Sequence, residues 1–431
     1  MEIVKTFGHY VDVLSKDHPS AARWLLKTGW ELQDVKFRVA KDKNLLPADQ
    51  YLAHIMMRLM INPLMDPDHS CIVSVFTPCE MMQEVGLHSY NVESMSCYLS
   101  GSFAEREFIQ KAEETGIAET LCSYHKIFLG AAYEGLLPRP RCIVYTNIAC
   151  DANLLTFRAL SELYDVPKFF IDVPLTATEG NISYVEEQLR DLSVFLEKQT
   201  GVKIEESQLR SRVERSLRSI QNYRKFQTLR STHYIPTDLT TPLYSGITSN
   251  VMLGTQEEET YTNMLLQDVE KAEPAQGVRL YWMHIIPFWS EEVRKLLRFQ
   301  KSAQIVGCEF AQLCDRDFDT RNPYRAMAER MVYNSMYGTM SRRIEEGIRH
   351  AKMAGADGTV WFCHWGCKHT MGGSQLAKKK FEEAGIPLLV LDGDGCDRSH
   401  GGEGQTATRL GAFLEMLIEK KQHENGQKKE S

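Results

Sequence analysis

The sequence contains no Cys-X-X-Cys pair, although it holds eleven cysteines in 431 residues. That absence leaves zinc-ribbon and thioredoxin-type readings without support, and an odd cysteine count in a chain this long argues against a secreted disulfide framework. The opening residues, MEIVKTFGHYVDVL, lack a basic segment running into an apolar one, so no signal peptide is expected. No run approaches the ~18 apolar residues that span a membrane. Positive charge is also short: the formal net charge is −7, which excludes nucleic acid and anionic membranes as expected partners. The expected location is therefore cytoplasmic. In that reducing compartment the cysteines are left with metal binding, catalysis or simple burial.

What is present is an ordinary core. Hydrophobic residues make up 43% of the chain and charged residues 25%, usual for a globular protein, with length for two or three domains. Residues 1–66 read as a helical N-terminal segment, with helical apolar spacing over 20–32 and 47–64. Residues 67–176 read as a first α/β domain: apolar runs at 71–76, 141–147 and 168–174 alternate with helical patterns, the rhythm of parallel strands joined by crossover helices. Residues 177–265 form a connector, helical over 185–200 and 205–228 and loop-like over 236–262. The rhythm returns over 266–422, the second α/β domain, with strands at 278–284, 304–310, 358–362 and 388–394. Residues 423–431 form a polar, frayed tail. The two α/β blocks share a beat that suggests duplication.

The chain is organised around residues 358–374, GTVWFCHWGCKHTMGGS. A short apolar strand breaks into a loop holding Cys363, His364, Cys367 and His369, and a helix opens at Ser374. In open α/β sheets ligand sites lie outside the carboxyl ends of the strands, where this loop is. Cys150, in TNIACDAN, holds the comparable place in the first block, ahead of a helix whose amides and dipole favour a thiolate. Cys122, in TLCSYHKIFLG, lies on or near a helix and can approach from a neighbouring element. Cys71, Cys142 and Cys308 fall inside strands and read as buried small hydrophobes, as does Cys363 by strand continuation. Cys79 is a weaker ligand candidate, and Cys97, Cys314 and Cys396 are undecided. Separations this long mean that any site built from these cysteines is assembled by the fold.

Four segments, TLCSYHKIFLG (120–130), CIVYTNIACDANLLTFRALSELYDVPKFFID (142–172), FCHWGCKHTMGGSQ (362–375) and GIPLLVLDGDGCDRSHGGEGQTATRLGAFLEML (385–417), together resemble the 2-hydroxyacyl-CoA dehydratase family. Relatives of that family include the ATP-dependent benzoyl-CoA reductases. VFTPCEMMQEVG (75–86) is similar to the family's opening strand–Pro–Glu–helix. The resemblance implies two Rossmann-like or flavodoxin-like parallel-sheet domains with helical N-terminal and connecting segments. It also implies a [4Fe–4S] cluster on Cys122, Cys150 and Cys367, an acyl-CoA substrate, and an ATP-dependent iron–sulfur activator as electron donor. A paralogous second subunit, or a second copy of the chain, is the implied assembly partner. The implied reaction is radical elimination of water from an (R)-2-hydroxyacyl-CoA to an enoyl-CoA. The alternatives are a noncatalytic or electron-relay iron–sulfur subunit, and a CoA-thioester reductase. A branch with a double-cubane cluster on six cysteines is disfavoured, because residues 324–345 contain no cysteine.

Beside the cysteines, His364 and His369 are candidate acid/base groups or hydrogen-bond partners of the leaving hydroxyl, against the plainer reading of satisfied loop histidines. Glu80 is a further catalytic candidate, or a first-turn carboxylate stabilised by its helix. Residues 392–395, DGDG, can line the cleft or cap the sheet. Residues 401–404, GGEG, can offer free amides to a carbonyl or phosphate oxygen.

Overall fold

The computed structural model describes residues 2–311, 314, 316–399 and 403–430. It contains two separate four-stranded parallel sheets. The first is built from β1 (Ser70–Val73), β2 (His88–Asn91), β3 (Cys142–Thr146) and β4 (Lys168–Ile171), in the order β2-β1-β3-β4. The second is built from β5 (Val278–Met283), β6 (Ala303–Cys308), β7 (Gly358–His364) and β8 (Leu388–Gly393), in the order β6-β5-β7-β8. Each sheet therefore starts at an inner strand, steps outward once, then returns to the other side. The inner strands β1, β3, β5 and β7 are buried throughout or nearly so, as expected of continuous apolar runs covered by helices on both faces.

This order places a topological switch point between β1 and β3 in the first sheet and between β5 and β7 in the second. At such a point the loops leaving the two strands diverge and open a crevice. Cys150 follows β3 and Cys367 follows β7, so the two cysteines occupy equivalent places in the two sheets. The shared strand order gives the suspected duplication a topological basis.

The helical segments differ from the sequence reading in two places. Residues 236–262 are not a loop: helices Thr240–Val251 and Gln256–Glu270 occupy most of that stretch. The first buries Leu243, Ile247 and Val251 at helical spacing. Its Gly246 lies so close to Phe310 that a Cβ would stand 2.9 Å from that side chain. Small and β-branched residues there serve close packing, which outweighs their weak helix propensity. The polar tail is also not frayed, since the last helix runs Glu403–Glu430. Glu, Lys and Gln, frequent in this stretch, are good helix formers.

Helices Pro19–Val39 and Pro47–Met65 pack against each other and bury Leu26, Trp30, Met56 and Met60. Met56, Met57 and Met60 of the second helix are core filler. None of the described helices is long and apolar enough to cross a membrane.

Candidate functional site

The second sheet reaches the first through the loop after β8. Asp394 Oδ1 accepts from the amides of Cys396 and Asp397, which closes a tight turn, and from Ser123 Oγ at 2.7 Å. Tyr124 donates its hydroxyl to the Gly395 carbonyl at 3.1 Å. Ser100 donates to the Cys396 carbonyl at 2.7 Å. These bonds seat the start of helix Ser123–Tyr133 beside the carboxyl ends of β7 and β8, with Cys122 at its N-terminal boundary.

The loop after β7 closes on the same point. Gly366 has φ +79° and its backbone lies against Cys122, so that an added Cβ would stand 2.6 Å from the Cys122 nitrogen. Only glycine meets both demands. The contact carries the following residue, Cys367, to the side of Cys122. Cys150 arrives from the first sheet, just ahead of helix Ala152–Tyr164.

All three thiols are partly exposed as residues yet electrostatically coupled. Burial pushes the Cys122 thiol well above its ordinary range, and Cys367, Cys150 and Asp394 push the same way, opposed by a hydrogen bond from the Tyr124 amide. Burial and Cys367 raise Cys150 to about 12, against a hydrogen bond from the Ala152 amide. Negative charge on the neighbouring cysteines therefore makes a thiolate at Cys122 or Cys150 harder to form, unless a positive centre shares the space. Among the described residues, no three His, Cys, Asp or Glu side chains close around one point as ligands of a single metal ion would. Soft thiolates are the donors that iron–sulfur clusters take.

His364 ends β7 and is 1% exposed. Its Nε2 lies 3.1 Å from Cys122 Sγ and its Nδ1 accepts from the Gly395 amide at 2.9 Å. Burial holds its pKa below the usual histidine value, although Asp394 opposes that shift. His369 lies in the short helix Lys368–Met371 after Cys367. Burial and the Arg343 charge lower its pKa to about 4, and its Nε2 is buried without a hydrogen-bond partner.

Glu80 stands elsewhere. Its two oxygens accept from Arg330 at 2.5 and 2.8 Å and one also accepts from Ser216 at 2.6 Å. Burial alone would raise its pKa, but Arg330 and Ser216 outweigh it and hold the carboxyl below its ordinary range. These partners account for the whole carboxylate as a buried ion pair between helix Glu80–Glu84, helix Pro323–Val332 and helix Glu206–Leu229. Of the GGEG stretch, Gly401 and Gly402 lie outside the described residues.

Three neighbours escaped the sequence reading. Arg343 donates to both oxygens of Glu309 at 2.7 Å and to the His369 carbonyl at 2.9 Å. Burial works against its charge, but Glu309 together with Cys367 and Cys363 raises its pKa further. It is thus a fixed cation near Cys367. Glu309 also accepts from the His284 amide at 2.8 Å, tying the loops after β5, β6 and β7 together. His284 has φ +72°, its ring centroid is 6.3 Å from that of His364, and its Nδ1 is buried without a partner. It follows β5 as Cys367 follows β7, and strand-end position was the signal that could have singled it out.

The remaining cysteines behave as buried hydrophobes. Cys71 and Cys142 sit 3.8 Å apart on adjacent strands, Cys396 is paired with Cys97, and Cys363 continues β7. An open cleft of about 730 Å³ is lined by the residues that flank Cys367 and precede Cys122, among them Leu121, Trp365, Gly366, Lys368 and Met371. That volume suits a small organic ligand.

Comparison with known proteins places this geometry in context. A family model described as 2-hydroxyglutaryl-CoA dehydratase, D-component, matches residues 74–417. The (R)-phenyllactyl-CoA dehydratase alpha subunit of Clostridium sporogenes is 20% identical over 372 residues, spanning 80% of this chain and 89% of its own. The lactoyl-CoA dehydratase subunit alpha of Anaerotignum propionicum is 20% identical over 389 residues, spanning 80% and 90%. The (R)-2-hydroxyisocaproyl-CoA dehydratase alpha subunit of Clostridioides difficile is 19% identical over 383 residues, spanning 82% and 91%.

Proposed function

Since the chain belongs to the 2-hydroxyglutaryl-CoA dehydratase D-component family, we propose that it is the cluster-bearing subunit of a 2-hydroxyacyl-CoA dehydratase. The overall reaction removes the C2 hydroxyl and a C3 proton from an (R)-2-hydroxyacyl-CoA as water and leaves an enoyl-CoA. The observation that carries this reading is the meeting of Cys122, Cys150 and Cys367, which are far apart in sequence and mutually coupled in the fold. These three residues would hold a [4Fe–4S] cluster through their thiolates. Such a cluster, once reduced by an ATP-dependent iron–sulfur activator, supplies one electron and an iron able to act as a Lewis acid.

The protein's own residues have separable roles. Arg343, fixed on Glu309, keeps a positive charge near Cys367. His369 offers an unpartnered nitrogen in the cysteine neighbourhood that can take up the C3 proton. The cleft beside Trp365 and Lys368 gives the thioester a path to the cysteines while Leu121 and Met371 present apolar surface to the acyl chain. Glu80, spent on Arg330, is given no role in the reaction. The alpha-subunit names of the relatives favour a second, related subunit as partner.

Anaerobic purification with iron and sulfide counts tests the cluster, and alanine at each of the three cysteines is expected to lower iron content. Iron unchanged in all three variants would sink the ligand assignment. Turnover of (R)-2-hydroxyacyl-CoA thioesters with activator and ATP, with and without the partner subunit, tests the reaction. Enoyl-CoA formation supports it. Cluster present but only reduced thioester formed would move the protein to the reductase class.

A further inference from the structure

His364 was a candidate acid or base, but its surroundings leave it no free nitrogen. The Gly395 amide lies 2.9 Å from Nδ1. A backbone amide can only donate, so Nδ1 accepts and carries no proton. That excludes both the imidazolium and the Nδ1–H tautomer, and it leaves the single ring proton on Nε2. Nε2 is 3.1 Å from Cys122 Sγ, within reach of an N–H···S bond. Tyr124 packs edge-on against the same ring at a centroid separation of 5.4 Å, fixing its plane. Gly395 is itself held in place, because its neighbour Asp394 caps the turn and its carbonyl receives the Tyr124 hydroxyl. The Gly395 amide, the Cys122 sulfur and the Tyr124 ring therefore favour one ring orientation and one tautomer, while the Asp394 carboxylate, 3.9 Å from Nδ1, works the other way.

We propose that His364 is a fixed-tautomer hydrogen-bond donor to the Cys122 sulfur, a positioning residue and not an acid or base. Among the described residues neither Cys150 nor Cys367 receives a comparable side-chain donor. Cys122 thus has a side-chain N–H beside it in addition to the Tyr124 amide, whereas Cys150 has the Ala152 amide without such a side chain. This asymmetry rests on the proposed cluster only for its consequence. A donor to a ligating sulfur makes the cluster easier to reduce, and it restricts the sulfur to one direction.

The test uses the full chain, purified anaerobically, as wild type, His364→Phe and His364→Gln. Phenylalanine fills the ring space without a donor, whereas glutamine can return an N–H near the position of Nε2. The midpoint potential, followed by electron paramagnetic resonance, is expected to fall in His364→Phe and to move back toward wild type in His364→Gln. Equal potentials in wild type and His364→Phe, with equal iron content, would overturn the proposal and leave the cluster reading intact. A second readout needs no cluster. With ¹⁵N-labelled histidine in the iron-free full chain, the His364 signal, identified by its loss in His364→Gln, is expected to show Nε2–H and a bare Nδ1. An Nδ1–H signature would overturn the proposal. If wild type binds no iron, the cluster reading fails and the nitrogen spectrum alone decides this one.

Discussion

Replacing Gly366 by alanine probes the point on which the site depends, the contact between the loop after β7 and the start of helix Ser123–Tyr133. A Cβ there would stand 2.6 Å from the Cys122 nitrogen and 2.8 Å from the Cys122 Cα and the Leu121 carbonyl carbon. All three are backbone atoms, so no side chain can swing aside. The residue also has φ +79°, which costs an alanine about 1–2 kcal/mol. Overpacking adds about 1–3 kcal/mol, and the stiffer unfolded chain returns about 0.4–1 kcal/mol. The expected net loss is then about 1–4.6 kcal/mol, with the upper half more apt for a backbone clash. Gly385 is the control: its φ is +75° but nothing lies within 4 Å of its would-be Cβ. Gly385→Ala carries the conformational strain alone and should lose about 0–1.6 kcal/mol on the same accounting. Urea unfolding of both variants, read as midpoint shifts at unchanged slope, gives the comparison. Gly366→Ala should also displace Cys367 from Cys122 and lose iron, whereas Gly385→Ala should keep it. Equal destabilisation of the two variants with equal iron retention would refute the close approach.

Disrupting the Glu80–Arg330 pair with Glu80→Gln or Arg330→Met should destabilise the fold by about 3–5 kcal/mol in urea melts, because one buried partner is left uncompensated. Full stability with lost turnover would instead return Glu80 to catalysis. Because the folded-state pKa of Glu80 lies below its unfolded value of 4.5, its contribution is present above that pH and lost as acid titrates the folded carboxyl. Acid unfolding of Glu80→Gln should accordingly lack that part of the pH dependence. Glu258 has the opposite sign: burial raises it to about 8, against a hydrogen bond from Thr248. The folded form holds a proton that the unfolded chain releases above about pH 4.5, so its contribution to stability declines as pH rises toward 8. Glu258→Gln should flatten the stability profile between those limits, and an unchanged slope would count against a buried, protonated Glu258. Anaerobic chelation of the proposed cluster should lower the melting temperature, since a group bound only by the folded chain adds to its stability.

Seven of the eight described strands were legible from apolar runs, which burial makes continuous in β1, β3, β5, β6 and β7 and which β4 and β8 keep at the sheet edges with partial burial. The exception, β2, is the sequence His-Ser-Tyr-Asn on the sheet edge. It carries neither a run nor an alternation, and only its pairing with β1 makes it a strand. Helix Thr240–Val251 was missed for a related reason. Its threonines, serines and glycine signal a loop locally, and the close approach to Phe310 that selects them is invisible in sequence. At the site, strand-end position singled out Cys150 and Cys367, and resemblance added Cys122. Nothing local identified Arg343, which belongs to a charged amphipathic helix and looks like any surface arginine until Glu309 is brought opposite it. His364 and His369 were visible as a pair, but what separates them is not. One ring has both nitrogens engaged by Gly395 and Cys122, and the other keeps Nε2 unpartnered.

The symmetry of the two sheets accounts for only part of the proposed thiol set. Equivalent switch points supply Cys150 and Cys367, one from each sheet, and a pair of such positions is what a duplicated unit offers without further change. A third thiol cannot come from the same symmetry. It comes from Cys122, on the helix of the first unit that the turn at Asp394 of the second unit holds through Ser123 and Tyr124. Docking of the two units and completion of the thiol set are therefore one event. Neither unit alone presents more than two of the three sulfurs, and the unit holding two of them, Cys122 and Cys150, lacks both the His364 donor and the Arg343 cation. A cluster that bridges both units would couple their relative position to its own binding, so that loss of either the turn or the cluster loosens the other.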